Sequence, residues 1–279
     1  MMQTTERRAS VAVVAAIATF ALGACSVATS NDVDRPSGTT IDSPASSSSA
    51  TGTTNPPASP VKVTWGDGKN PPGMAQGTPN PAGWYEAAFG PRTTDKVLYL
   101  TYDDGPYPDT TNQILKLLAA NDAKATFFVL GRQVDAFPGY ADKIIAAGHA
   151  LGNHTQDHEN LATHGPGTIR KQLTQVREAV GPKLGDCMRP PGGFIDDQAG
   201  AVITGMGLVP VLWTGHAQDW APPSVDKMVD MLKKATSPGA VILLHDSIDK
   251  AKTVAASATM LPWWKRQGYR LETIPACRK

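Results

Sequence analysis

The chain has 279 residues, 41% of them hydrophobic, so it can bury a substantial core in one large domain or two small ones. Its 26 Lys and Arg residues nearly balance its 25 Asp and Glu residues, for a formal net charge of +1. This balance gives no electrostatic reason to expect a nucleic-acid partner, which usually requires a clustered basic face, and we exclude that class.

The first 25 residues have the pattern of an export signal. Arg7 and Arg8 precede an apolar stretch, 11–22, that is too short for a comfortable transmembrane span, and residues 22–25 read Leu-Gly-Ala-Cys. The segment resembles a bacterial lipoprotein signal, in which cleavage falls just before the cysteine and Cys25 becomes an acylated membrane anchor. The alternative is an ordinary secretory signal in which Cys25 is incidental. Both interpretations predict export.

Two segments separate this signal from the rest of the chain. Residues 26–60 are almost all Ser, Thr, Pro, Ala, Gly and Asp, and we predict a disordered tether because they have too little apolar surface to offset the entropy of ordering. Such a tether would hold a domain about 30 Å from its anchor. Residues 61–94 mix aromatic side chains with many Gly and Pro residues, which predicts an irregular extension lying on a domain that spans 95–279.

From residue 96 onwards, strand-like and helix-like stretches alternate. In chain order we predict strands at 96–102, 125–130, 149–152, 208–213, 240–244 and 269–273, and helices at 110–121, 138–147, 167–180, 224–235 and 252–267. This alternation predicts an α/β fold with a parallel sheet. In parallel α/β barrels the working residues lie where strands end, and Asp103, Asp104, His154, the segment 213–220 and His245 all follow or end a predicted strand.

Two short runs contain residues suited to metal-assisted hydrolysis. Residues 101–106 read Thr-Tyr-Asp-Asp-Gly-Pro, and residues 154–158 read His-Thr-Gln-Asp-His. Two histidines four positions apart can bind one ion from a helical face or from a tight loop, and a carboxylate completes a His-His-Asp set. Because the chain turns at Gly105, one aspartate can bind metal while the other accepts a proton. Taken singly, each run also fits a plain turn or a pair of solvent-facing histidines.

Five motifs in order resemble the polysaccharide deacetylase family, also called the NodB-homology or carbohydrate esterase 4 family. The first two are the runs above, with Tyr102 in place of Phe. Residues 189–193, Arg-Pro-Pro-Gly-Gly, match Arg-x-Pro-x-Gly; residues 216–220, His-Ala-Gln-Asp-Trp, partly match Asp-x-x-Asp-Trp; and residues 243–245, Leu-Leu-His, match Leu-x-His. The resemblance spans about 95–278 and implies a distorted parallel (β/α) barrel of about seven strands, similar to a TIM barrel.

The resemblance also implies a role for each matched residue. The ligands of one divalent metal ion, Zn²⁺ or else Co²⁺ or another divalent ion, are Asp104, His154 and His158. The general base is Asp103, paired with Arg189, and the general acid is His245, paired with Asp219. The substrate and its oxyanion are supported by Pro191, Gly192 through its backbone N–H, Trp220 and Leu243.

Two positions depart from the family pattern. Gly192 stands where the family often has tyrosine, which leaves the backbone N–H but removes a side chain from the groove. His216 stands where the fourth motif usually has its first aspartate, so the resemblance does not imply the supporting hydrogen bond of that aspartate here. His149 and His164 belong to no motif, and we interpret each as a structural or surface histidine.

The cysteines can form a disulfide if the protein is exported to an oxidising compartment. If Cys25 is acylated, Cys187 and Cys277 are the remaining thiols. In an oxidising compartment this pair forms either a disulfide, which would tie the segment before Arg189 to the C-terminal tail, or two free thiols.

The favoured hypothesis is a monomeric, lipid-anchored enzyme facing the cell wall that removes N-acetyl groups from aminosugars of a polysaccharide, with peptidoglycan N-acetylglucosamine as the leading substrate and a chitin-like glycan as another. Its contact with the membrane would be through the lipid anchor alone. One alternative is an esterase that removes O-acetyl groups from xylan or another polymer. A second alternative is an inactive wall-binding lipoprotein, against which the retention of both aspartates, both metal histidines, Arg189 and His245 argues.

Overall fold

The computed structural model describes residues 93–279. The predicted signal peptide (1–25), the tether (26–60) and nearly all of the extension (61–94) lie outside the described residues and stay predictions. The predicted domain, 95–279, lies within them. No helix in this described part is long and apolar enough to span a bilayer.

A parallel sheet forms the centre of the described region. Its strands are β1 (Val97–Asp103), β2 (Ala125–Val129), β3 (Ala150–Asn153), β4 (Cys187–Met188), β5 (Val209–Pro210), β6 (Gly215–His216), β7 (Ala240–His245) and β8 (Arg270–Leu271). Seven strands follow the order β5-β4-β3-β2-β1-β7-β6, and β8 pairs with the start of β1. Every pairing is parallel. The predicted seven-stranded α/β arrangement is therefore confirmed, as a curled sheet that resembles part of a barrel.

Helices connect the strands and cover the sheet. They are α1 (Pro108–Ala120), α2 (Gly131–Ala136), α3 (Tyr140–Ala146), α4 (Pro166–Val180), α5 (Asp197–Gly205), α6 (Val225–Ala235) and α7 (Ala251–Arg266). Several begin with the expected signals: α1 and α4 have proline in the first turn, and the side chains of Asp196 and Ser224 cap α5 and α6.

The central strand β1 divides the core into two layers. Leu98, Leu100 and Tyr102 pack in one buried cluster together with side chains of α1 and α7. Val97 and Tyr99 point to the opposite side and join a second cluster inside the curl. This alternation follows from the two-residue period of a strand, and all seven residues of β1 are buried because both faces are covered.

The structure differs from the sequence-based elements in specific places. The strand predicted at 208–213 pairs only at Val209–Pro210, because the carbonyls of Val211 and Leu212 accept hydrogen bonds from Arg189 instead of from a strand. The strands β4 and β6, which have two residues each, and the helices α2 and α5 were not predicted from the sequence.

A disulfide joins Cys187 in β4 to Cys277 in the last turn of the chain, with a Cα–Cα distance of 5.1 Å. Both cysteines are buried in the inner cluster. The bond fastens the C-terminal tail beside the strand that leads into Arg189.

Candidate active site

The polar residues singled out from the sequence meet at the carboxyl edge of the sheet. Asp103 ends β1, His154 directly follows β3, and His245 ends β7. The register places Asp103 opposite His245 on the neighbouring strand. Parallel strands present all their carboxyl ends at one edge, which explains how residues more than a hundred positions apart come together.

A three-residue cluster at this edge has the geometry of a metal site. The Nε2 atom of His154 lies 3.5 Å from Oδ1 of Asp104, and the Nε2 atom of His158 lies 3.4 Å from the same oxygen. One ligand atom from each residue lies within 4.8 Å of the other two. The cluster is open on one side, where a cavity of about 340 Å³ touches both Asp104 and His158.

The chemistry of this donor set fits a divalent cation. Oδ1 of Asp104 is buried and has no hydrogen-bond partner in the described part of the chain. Burial opposes ionisation of Asp104, but the contact with His154 outweighs it and lowers its pKa. Burial also lowers the pKa of His158, which favours a neutral ring with a lone pair available. A carboxylate and two imidazole nitrogens facing one another can hold a cation between them, and Asp with two His suits Zn²⁺ and similar ions.

The backbone around the histidines is a tight loop, not a helix. The side chain of Asn153 accepts a hydrogen bond from the Thr155 amide at 2.9 Å, and the Thr155 hydroxyl accepts one from the His158 amide at 3.0 Å. Thr155 and His158 have positive φ angles of 71° and 64°, so the local hydrogen bonds hold a conformation that costs energy for these residue types. The Nδ1 atom of His154 bonds the Arg189 carbonyl at 2.7 Å, which leaves Nε2 facing the cluster.

Asp103 is held beside the cluster by a buried arginine. The Nη1 atom of Arg189 donates to Oδ1 of Asp103 at 2.7 Å and to the Thr101 hydroxyl at 2.7 Å. The other Asp103 oxygen, Oδ2, lies 3.7 Å from Nε2 of His154. Burial lowers the pKa of Arg189 and the charge of Asp103 opposes that shift, so the two groups stabilise each other as a pair. One carboxylate oxygen is thus fixed while the other faces the cluster.

A second pair lies on the other side of Asp103. Oδ1 of Asp219 lies 2.8 Å from Nδ1 of His245, and Oδ2 accepts hydrogen bonds from the His245 amide and the Thr253 hydroxyl, both at 2.8 Å. Burial lowers the pKa of His245, but the hydrogen bond and charge of Asp219 outweigh it, and the net shift is upward. His245 is therefore suited to carry and donate a proton.

The remaining predicted residues occupy different surroundings. Pro191 and Leu243 are buried, whereas Gly192 lies in a 3₁₀ turn with φ 62°. Trp220 is 48% exposed, with its ring centroid 6.0 Å from that of His245. His216 has a buried Nδ1 without a partner in the described region, and its ring centroid lies 5.0 Å from that of Trp220.

The two histidines outside the motifs lie apart from the cluster. His149 is buried and accepts a backbone hydrogen bond, while His164 pairs with Glu159.

Two residues that lie next to the site, Thr253 and Asp246, were not predicted from the sequence. Thr253 holds Asp219 from 34 positions away, and nothing in the local sequence indicates this contact. Asp246 is fully buried and accepts from the Thr111 hydroxyl at 2.6 Å, and burial raises its pKa to about 7. The only hint of Asp246 in the sequence was its position next to His245 at the end of a predicted strand.

The parallel sheet carries a His-His-Asp cluster, an Asp–Arg pair and a His–Asp pair at one edge, which is the arrangement expected of a hydrolytic enzyme. The sequence profile of the family described as polysaccharide deacetylase matches residues 90–211. A peptidoglycan-N-acetylglucosamine deacetylase of Bacillus cereus is 35% identical over 185 residues, which cover 64% of this chain and 87% of that protein. The chain belongs to the polysaccharide deacetylase family.

Two further similarities agree with this assignment. A chitooligosaccharide deacetylase of Rhizobium leguminosarum bv. trifolii is 33% identical over 200 residues, covering 65% of this chain and 91% of that protein. The crystal structure of a peptidoglycan N-acetylglucosamine deacetylase in complex with an N-oxidanyl-benzamide superposes with a TM-score of 0.66 at 31% identity, covering 70% of this chain and 95% of that one.

Proposed function

We propose that the protein hydrolyses N-acetyl groups of aminosugars in a cell-wall glycan, with N-acetylglucosamine of peptidoglycan as the substrate, and releases acetate. The observation that carries the proposal is the position of Asp103 between the His-His-Asp cluster and the His245–Asp219 pair. Amide hydrolysis needs a base for water, an acid for the departing amine and support for the oxyanion, and this arrangement supplies candidates for the first two. The substrates named for the relatives above support the choice of glycan.

Asp104, His154 and His158 would hold one divalent ion, for which we propose Zn²⁺, with Co²⁺ or another divalent ion as the alternative. When bound, the ion would supply Lewis-acid polarisation of the acetyl carbonyl and lower the pKa of water. Its ligands are fixed in advance: the Arg189 carbonyl orients His154, and the Thr155 hydroxyl orients the His158 backbone.

The chain's own residues would move the protons. Oδ2 of Asp103 would accept a proton from the attacking water, while Arg189 holds Oδ1 and prevents rotation of the carboxylate. Nε2 of His245 would donate a proton to the amine nitrogen as the carbon–nitrogen bond breaks, since Asp219 occupies Nδ1. The products are acetate and a free amino group on the sugar.

The walls of the site would select the acetyl group. Leu243 and the ring of Trp220 would line the acetyl pocket, and the backbone N–H of Gly192, after Pro191, would donate to the oxyanion. The cavity beside Asp104 and His158 gives the sugar a route to the cluster.

We further propose that the protein acts outside the cell, anchored through acylated Cys25 and tethered by residues 26–60, as a monomer. The Bacillus cereus relative acts on peptidoglycan by its name, and a tethered domain can reach the wall from the membrane. Radiolabelled palmitate incorporation into the wild type, and its loss in Cys25→Ala, tests the anchor.

The activity is tested by measuring acetate released from purified peptidoglycan and from an N-acetylglucosamine oligomer, with zinc, with chelator, and with Asp103→Asn as the control. Chelator-sensitive release that Asp103→Asn abolishes supports the proposal. No release from either substrate by protein that binds metal would favour the O-acetyl esterase, and no release by protein that binds no metal would favour the inactive wall-binding protein.

A further inference from the structure

Three large hydrophobic side chains in the described region are exposed: Phe194, Trp220 and Ile248. Trp220 and Ile248 lie beside residues of the site already described, His245 and the cavity next to Asp104 respectively. Phe194, which is 42% exposed, has no role in the reaction as derived above. Phe194 follows Arg189, which binds Asp103, by only five residues. An exposed phenyl ring so near the candidate site needs an explanation, because exposed apolar surface at a binding site commonly contacts a ligand.

The ring of Phe194 lies directly over Gly192. A Cβ atom built on Gly192 would lie 2.6 Å from Cε2 and 2.7 Å from Cδ2 of Phe194, so a side chain at position 192 would require the ring to move. Gly192 also has φ 62°, a conformation that glycine adopts without strain. The phenyl ring therefore occupies the space that a side chain at position 192 would take. Phe194 thus supplies an aromatic ring near the position where the family often has tyrosine.

Backbone hydrogen bonds hold the turn that carries this ring. The Phe194 amide donates to the Pro191 carbonyl at 3.2 Å, and the Gly193 amide donates to the Pro190 carbonyl at 2.9 Å. Immediately afterwards, Ile195 is buried in the inner cluster and Asp196 caps α5. The ring is therefore carried by a hydrogen-bonded turn that is followed at once by a buried residue and a helix cap.

We propose that Phe194 is a specificity-determining residue that stacks on the pyranose ring of a sugar unit next to the one being deacetylated. This inference rests on the proposed function and deepens it. A pyranose presents an apolar face of C–H groups, and an exposed, preorganised aromatic ring binds such a face at low entropic cost. In the proposed reaction the Gly192 amide lies at the acetyl carbonyl of the reacting sugar. A ring packed on Gly192 would therefore lie beside that sugar and contact the next sugar unit of the glycan. The ligand is thus a glycan of at least two sugars.

The test compares wild type, Phe194→Ala and Phe194→Trp in the full chain. Acetate release is measured on the N-acetylglucosamine tetramer and monomer. For the tetramer we expect Phe194→Ala to raise KM about tenfold with kcat and zinc content unchanged, and Phe194→Trp to restore KM. For the monomer we expect no difference. Tyr269→Ala is the matched control, since Tyr269 is a partly buried aromatic residue next to β8, at the opposite end of β1.

A binding measurement separates this inference from the proposed function. Calorimetric titration of the tetramer into Asp103→Asn and into the double variant with Phe194→Ala should give dissociation constants that differ about tenfold. Binding that depends on Phe194 without acetate release by wild type would refute the chemistry and support the stacking. Acetate release with equal affinities and equal KM values would refute the stacking, as would undetectable tetramer binding by both proteins.

Discussion

Arg189 and Asp103 form a buried ion pair with 2.7 Å between Nη1 and Oδ1, and the arginine side chain is fully buried. Its other donors reach the carbonyls of Val211 and Leu212, and its guanidinium lies 4.2 Å from the ring centroid of Phe128. These contacts hold the guanidinium of Arg189, which in turn holds Oδ1 of Asp103. The pairing separates the roles of two adjacent aspartates: Asp103 is held by arginine and Asp104 faces the histidines.

Replacement of Asp103 by Asn should abolish turnover but leave the cation site intact. An amide accepts no proton, so we expect acetate release to fall by about 10²–10⁴-fold. Asp103 is outside the His-His-Asp set, so zinc content measured by mass spectrometry should equal that of wild type. Equal loss of zinc in Asp103→Asn and His158→Ala would refute this division of roles.

Replacement of His158 by Ala should remove bound zinc. Two ligands remain, Asp104 and His154, which is fewer than the three protein ligands that catalytic zinc sites use. His164→Ala is the matched control, because this histidine pairs with Glu159 and lies outside the cluster. Zinc dissociation constants from competition with a chromogenic chelator measure the difference. Equal affinities in the two variants would show that His158 is not a ligand.

Replacement of Asp219 by Asn should move the alkaline limb of the kcat profile to lower pH. His245 can donate a proton only below its pKa, so kcat falls as pH rises through that pKa. Asp219 raises this pKa through its hydrogen bond and charge, and Asn removes the charge. The measurement is kcat as a function of pH for the zinc-loaded wild type and the zinc-loaded Asp219→Asn variant. An alkaline limb at the same pH in both proteins would contradict the assignment of His245 as the acid.

Replacement of Gly105 by Ala should disrupt the turn that presents both aspartates. A Cβ atom there would lie 2.2 Å from Oδ2 of Asp246, which is buried and held by Thr111. Either the turn or Asp246 must move, so we expect loss of activity together with lower zinc affinity. Gly205→Ala is the control, since a Cβ atom at Gly205 would meet open space. Activity of Gly105→Ala equal to that control would show that the contact is easily relieved.

Removal of the disulfide should lower the free energy of unfolding by about 2–4 kcal/mol, because the bond closes a loop between cysteines 90 positions apart. Urea denaturation of the Cys187→Ala/Cys277→Ala protein measures the change. Dithiothreitol should destabilise wild type by a similar amount and leave the double variant unaffected. Destabilisation of the double variant by dithiothreitol would show that the reductant acts elsewhere.

Much of the fold and the candidate cluster was predictable from the chain. The long strands β1 and β7 are continuous apolar runs, which have few alternatives to a buried parallel sheet. The strands β4 and β6 were not predictable, because two-residue pairings leave no periodic pattern. The strand predicted at 208–213 was too long, because the carbonyls of Val211 and Leu212 accept hydrogen bonds from Arg189. No pattern in the sequence indicates this contact.

The sequence by itself determined the family and the parallel α/β architecture, and it predicted the residues that we propose for metal binding and proton transfer, because motifs and strand ends can be recognised in short stretches of the chain. The tertiary structure decided which atoms meet: that Thr253 supports Asp219, that Arg189 fixes Asp103, and that the ring of Phe194 fills the space over Gly192. Such contacts depend on side-chain directions across several strands and turns, and these are set by packing of the whole domain.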